Sequence, residues 1–242
     1  MDQADHRSAD FVKQLTPLIE QHDTESLLAW LDRYWPRESL LDMLSSDNGD
    51  AVKIALVCLA FVGRMPDSPR VARLLYSPDS ATIAYAEHTL WSIWFCSGNE
   101  AQNAGLMQAV GLIAHDRFED AIEALDALIA KAPCFAEAYN QRAIACFLAG
   151  EYERATEDCR QALRLNPLHF GAMAGLGHCY ATCKRLLDAM GAYRAALAIH
   201  PRLEGLRQSI QCVRECLRRD ADQGDPLLTS ESTFDAYPLS ES

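Results

Sequence analysis

Apolar residues recur along this chain at steps of three and four, which places them on one face of a helix. Over 137–149 the inward positions are Tyr139, Ala143, Cys146 and Phe147, and over 152–165 they are Ala155, Cys159, Ala162 and Leu163. Leu206, Ile210, Val213 and Leu217 mark another amphipathic helix over 203–219. Near the start, Phe11, Leu15, Leu18 and Ile19 predict one helix, and Leu27, Leu28, Leu31 and Trp35 a second.

The helices are punctuated at a fixed interval. Ala132-Pro133, Asn166-Pro167 and His200-Pro201 stand 34 residues apart, and each proline stops a helix because it lacks a donor and clashes with the preceding turn. Aligning on them gives blocks 102–135, 136–169 and 170–203. Small residues coincide at Ala121, Ala155 and Ala189, and at Ala109, Ala143 and Gly177. Larger ones fill Leu125, Cys159 and Tyr193. Small residues at repeated positions let helices approach, and large ones fill the remaining gap. Each block reads as helix, turn, helix. In the middle block Gly150 ends the first helix, where a left-handed residue is favoured.

These residues, with the aromatic Phe118 and Tyr152 at the head of the second helices and Pro133, Pro167 and Pro201 at their ends, resemble the tetratricopeptide repeat family. Asp116 and Lys184 depart from the family's turn glycine, and Gly105 from its aromatic. The resemblance implies an all-α fold, an α–α superhelix of the right-handed solenoid kind, with three repeats and a capping helix over 204–219.

The first hundred residues carry another period. A shift of 31 aligns Ser46 with Ser77, Val52 with Ile83, Ala55 with Ala86, Leu59 with Leu90 and Val62 with Ile93. Both units read as a leucine-rich helix, a Ser/Asp/Asn turn suited to an N-cap, and a second apolar helix. They resemble a pair of HEAT-type repeats, so 1–101 is expected to be a separate HEAT-like segment.

Charge and composition narrow the function. The 242 residues carry a formal charge of −12, and 49% are hydrophobic, too many for a disordered chain. Only Arg214, Arg218 and Arg219 cluster, which is too little basic surface to displace counterions from nucleic acid or to hold an anionic membrane. No apolar run reaches the ~18 residues a bilayer demands. The polar N-terminus lacks the order of a secretory signal, so a cytoplasmic address is expected. Nine cysteines in such a compartment are expected to be unpaired thiols. The segment 220–242 has acids but no Lys or Arg, and is expected to be mobile.

The tetratricopeptide resemblance places a concave partner groove on the first helix of each block. Its positions here are Asn103, Leu106, Val110, Ile113 and Ala114; Glu137, Asn140, Ile144, Phe147 and Leu148; and Gly171, Ala174, His178, Ala181 and Thr182. The set is mostly apolar and suits an apolar helix or extended segment of another protein or peptide, with Asn140, Phe147 and His178 giving orientation. Positions that hold a terminal carboxylate in some relatives are Leu106, Val110, Gln141, Gly171 and Gly175. None is basic, so no such clamp is expected.

His178, Cys179, Cys183, Cys212 and Cys216 invite a metal, but cysteine also packs as a small hydrophobe, and tight CxxC turns are missing. No metal or cofactor is expected. His88, Trp91, Trp94 and Phe95 form an aromatic helix where the two repeat types meet, read as packing. No motif of hydrolases, kinases or nucleotide-binding enzymes occurs. Glu157 and Asp158 read as a solvated face, and His169 as a turn residue. The chain is expected to be a non-enzymatic protein-interaction scaffold. The alternative is a structural or self-associating module whose groove is filled by its own chain.

Overall fold

Several helices in this chain begin where a side chain accepts from unpaired backbone N–H groups, and others end at a left-handed turn. The computed structural model describes residues 3–20 and 24–222, with side chains over 9–17 and 25–220. The side chains of Leu18 and Ile19, and the acidic segment from 223 on, lie outside the described residues. Among the described residues every regular element is helical. The helices are α1 (Gln3–Glu20), α2 (Thr24–Tyr34), α3 (Arg37–Met43), α4 (Gly49–Val62), α5 (Ser68–Ala72), α6 (Ser80–Phe95), α7 (Glu100–Ala114), α8 (Phe118–Lys131), α9 (Ala136–Leu148), α10 (Tyr152–Leu165), α11 (Phe170–Thr182), α12 (Leu186–Ile199) and α13 (Leu206–Asp222). Among them no helix is long and apolar enough to cross a membrane.

The chain divides into two compact units, Met1–Ser97 and Gly98–Ser242. The division precedes the 101/102 boundary expected from the repeat register. Asn99 caps α7 through Gln102, and the Gly98 N–H donates to Asn103 Oδ1, so these residues belong with α7.

In the first unit the 31-residue shift recurs in the caps. Ser46 Oγ accepts from the Asn48 N–H at 3.1 Å, and Asn48 Oδ1 accepts from the N–H groups of Asp50 and Ala51. Ser77 Oγ accepts from the Asp79 N–H at 3.2 Å, and the Asp79 carboxylate accepts from the N–H groups of Ala81 and Thr82. Helices α4 and α6 follow these caps and pack together, with Ala55, Leu59, Ala86 and Leu90 fully buried. The first helices differ. α3 is continuous, whereas α5 lies between two short 3-10 turns, Met65–Asp67 and Arg73–Tyr76, in a stretch carrying Pro66 and Pro69 near helix starts. Trp94 is fully buried and donates its indole N–H to Ser68 Oγ at 3.3 Å.

In the second unit one set of bonds occurs three times. Asp116, Gly150 and Lys184 adopt φ of 57°, 85° and 61°. The next N–H in each case, from Arg117, Glu151 and Arg185, donates to the carbonyls of Leu112, Cys146 and Tyr180 at 3.0, 2.8 and 2.9 Å. The left-handed turn therefore forms whether or not glycine stands there. Before the prolines, the N–H groups of Ala132, Asn166 and His200 close the second helices on Leu128, Ala162 and Ala196. Ala121, Ala155 and Ala189 are fully buried. Gly177 replaces the alanine of the other blocks because a Cβ there would run into the Tyr193 ring. Leu206, Ile210 and Val213 of α13 join the buried cluster around Tyr193 and Ala196, while Arg207, Arg214, Arg218 and Arg219 stay exposed.

Candidate functional site

The first helices of the three hairpins touch one another, α7 with α9 and α9 with α11. Between α9, α10 and α11 they leave a pocket of about 130 Å³. α9 contributes Asn140, Ala143, Ile144, Phe147 and Leu148, α10 contributes Cys159, and α11 contributes Gly171, Gly175, His178 and Cys179. Gly171 and Gly175 stand one helical turn apart, and the side chains they lack are what leaves the space open. A Cβ at 175 would sit 3.3 Å from Cys159 Sγ. Ile144 and Leu148 are 39% and 49% exposed, an unusual state for such side chains. No lining residue carries a fixed charge. At the pocket wall His178 Nδ1 lies 2.9 Å from Tyr193 Oη, with the two rings edge to face. Burial lowers the pKa of His178 and pushes the Tyr193 hydroxyl up to about 12, so the pair is uncharged at neutral pH.

Six of the residues expected to face a partner, Asn140, Ile144, Phe147, Leu148, Gly171 and His178, meet in this pocket. Others do not. Leu106 and Glu137 are fully buried, and Asn140 is only 3% exposed. The expectation that these three present free side chains is corrected by their surroundings. Glu137 Oε1 accepts from Asn140 Nδ2 at 2.9 Å and from Gln141 Nε2 at 2.7 Å. Glu137 Oε2 faces His169 Nε2 at 2.8 Å. The Ala172 N–H donates to His169 Nδ1 at 3.1 Å, which puts the imidazole proton on Nε2 and makes His169 the third donor to Glu137. Buried polar groups are retained where such partners exist, and here the Asn140 amide donates one N–H to Glu137. His169 caps α11 and ties it to α9, so its turn position also carries a buried bond.

The remaining expected residues lie elsewhere. Asn103 Oδ1 accepts from the Gly98 N–H at 3.0 Å. Val110, Ile113 and Ala174 are half-buried, the last two against core clusters. Thr182 is exposed, with its hydroxyl donating to the His178 carbonyl at 3.0 Å.

Sequence spacing also missed a charged tie. Arg142 holds Asp158 through two bonds at 2.8 and 2.6 Å and reaches Asp126 at 2.6 Å, joining α8, α9 and α10. Arg154 adds a bond to Asp126 at 2.8 Å. Burial would raise the Asp126 pKa, but the Arg154 and Arg142 guanidiniums together hold it below the usual range. Asp158 is 4% exposed, so it is not on the solvated face expected for it; Glu157 is, paired with Arg164. The partners stand 16 or 28 residues apart, beyond any local pattern. All nine cysteines are free thiols. Among the described residues no three His, Cys, Asp or Glu side chains gather as a metal site would require.

Residues 136–168 match the tetratricopeptide repeat model. A TPR repeat-containing protein of Rhizobium etli is 29% identical over 140 residues, covering 58% of this chain and 68% of that one. The first TPR domain of human RPAP3 is similar in fold at 18% identity and a TM-score of 0.50, over 52% of this chain and 98% of that domain. The second TPR domain of human RPAP3, solved with an HSP70 peptide, is 24% identical with a TM-score of 0.46, over 48% of this chain and 98% of that one. Residues 136–168 are a tetratricopeptide repeat, and the hairpins on either side reproduce its left-handed turn and its helix stop at the same 34-residue spacing.

Proposed function

We propose that the second unit is a protein-interaction module that takes one uncharged apolar side chain of a partner polypeptide into the pocket between α9, α10 and α11. The observation that carries this reading is an apolar hollow whose rim, Ile144 and Leu148, is already exposed. Apolar cavities of roughly 150 Å³ hold a benzene-sized group, so about 130 Å³ suits a leucine or a phenyl ring. Burying such a side chain contributes about 1.5–3 kcal/mol. With no cation in the lining, a buried carboxylate would lose its hydration without a counter-charge. The recognised group is therefore apolar, and a terminal carboxylate is disfavoured. The partner is a protein or peptide, and the role is binding rather than turnover.

Selection of a random peptide library on the whole chain tests this. Selected peptides are expected to share an apolar anchor with no preference for a free carboxyl terminus. Ile144→Asp and Leu148→Asp, at exposed positions where the helices tolerate a charge, are expected to weaken them at least ~10-fold, which corresponds to about 1.4 kcal/mol, with helicity unchanged. Binders indifferent to both substitutions, or no binders, would overturn it. A wild-type dimer that Leu148→Asp splits in sedimentation would instead assign the pocket to a second copy of this chain.

A further inference from the structure

The arginines of the second unit fall into two groups. Between 98 and 193, Arg117, Arg142, Arg154, Arg160, Arg164 and Arg185 each pair with a carboxylate. From there on, Arg194, Arg202, Arg207, Arg214, Arg218 and Arg219 are all exposed, and among the described residues none of them is in an ion pair. Three of these form a stripe. Arg207, Arg214 and Arg218 stand seven and four residues apart on α13, which puts them on one side of the helix. The stripe runs beside the buried face of Leu206, Ile210 and Val213, and Arg219 is turned about 100° away from it. The helix itself does not account for the stripe. A cation in the last turn complements the helix dipole, which suits Arg218, but Arg207 is the second residue of α13, where the dipole opposes a cation. Arg214 and Arg218, four residues apart, repel each other. A counter-charge along the stripe would relieve all three.

We infer that the acidic stretch 223–242 of the same chain supplies this counter-charge by docking on the arginine stripe of α13. The stretch carries Asp225, Glu231, Asp235 and Glu241 and no Lys or Arg. It continues directly from α13, so reach decides whether its acids can return to the stripe. Arg207 lies about 22 Å back from the end of the helix, at 1.5 Å per residue. Residues 223–235 extend to roughly 43 Å, which brings Asp235 within range of every arginine in the stripe. Exposed ion pairs are individually weak and are screened by salt. Covalent linkage offsets that weakness, because a tethered segment is held near its site at an effective concentration on the order of millimolar. Contacts too weak to hold a separate acidic peptide therefore hold this one, which favours the chain's own stretch over a second copy or a free acidic ligand. An acidic partner reaches the stripe only by displacing 223–242. The inference stands whether or not the pocket takes a side chain.

Modification of the whole chain by phenylglyoxal, which reacts with arginine side chains, tests this, with mass spectrometry reading the rate at each residue. At low salt Arg207, Arg214 and Arg218 are expected to react at least ~3-fold more slowly than Arg202 and Arg219, which lie outside the stripe. The difference is expected to vanish in about 0.5 M sodium chloride. It is also expected to vanish at low salt in a variant carrying Asp225→Asn, Glu231→Gln, Asp235→Asn and Glu241→Gln. Equal rates at low salt in the wild type would overturn the inference. So would slow rates that persist in the variant, which would place the shield elsewhere, or slow rates lost on dilution, which would assign it to a second copy of this chain. The wild-type salt comparison does not depend on how the variant folds.

Discussion

The two units repeat in different ways. In residues 98–220 a 34-residue period returns the same left-handed turn, the same helix stop and the same fully buried alanine three times. In the first unit a 31-residue shift returns the Asn48 and Asp79 caps and the helices they start, and fails in the segments before them. A period carried by packing must repeat every side chain in the seam. A period carried by caps fixes only where a helix begins, and leaves the intervening chain free to be α3 in one copy and a proline-broken α5 in the other.

The comparison is most sharply broken at Ala155. Placing Trp there forces the largest side chain into a fully buried helix contact, and is expected to cost at least about 3 kcal/mol, read as a fall in urea midpoint. An unchanged midpoint would mean that the alanines do not set the packing. Gly177→Ala comes next. The added methyl meets the Tyr193 ring, and overpacking of this kind costs about 1–3 kcal/mol, although alanine is the better helix former. Equal stability would show that Tyr193 can move aside.

Caps are expected to matter less. Asn48→Ala removes the acceptor for two N–H groups and is expected to cost about 1 kcal/mol. Asp79→Ala is expected to lower the melting temperature of the first unit at neutral pH as well. The two caps part in acid. Hydrogen bonds from the Thr82 hydroxyl and N–H hold the Asp79 carboxyl below its usual pKa. Its contribution is whole above the unfolded value of about 3.9, and is lost as pH falls through the lower folded value. The Asn48 effect should not change over that window. Thermal melts of both variants against pH check this, and parallel profiles would count against the Asp79 cap.

The smallest effect is at the turns. Lys184→Gly relieves a left-handed lysine and is expected to stabilise by about 0.5–1 kcal/mol, seen as a small rise in urea midpoint. A fall would show that the lysine side chain contributes more than the turn conformation costs.

Much of the second unit was legible because its period is covalent. Prolines, alanines and turn residues sit at counted intervals, and the helices follow. The turns at Asp116 and Lys184 formed without glycine because the bond from the next N–H and the packing of the paired helices outweigh a modest conformational cost. The pocket was legible in part. Family positions brought out Ile144, Phe147, Leu148, Gly171 and His178, but a hollow depends on side chains that are missing, and Gly175 gains meaning only when Cys159 of α10 faces it. Glu137 could not be read, since an acid on a first helix looks the same whether it meets solvent or three donors. Arg142 was hidden for a related reason, its carboxylates lying 16 residues away in either direction.

The Glu137–His169 bond spans 32 residues and closes within one repeat. It acts as a ruler for the period. A greasy seam can absorb a slip of one residue by sliding, but a buried carboxylate and imidazole cannot, because an insertion between them separates Glu137 Oε2 from the imidazole N–H that reaches it. The middle block therefore has its length written into its chemistry, whereas its neighbours, with Asn103 and Gly171 at the same place, keep theirs without such a bond.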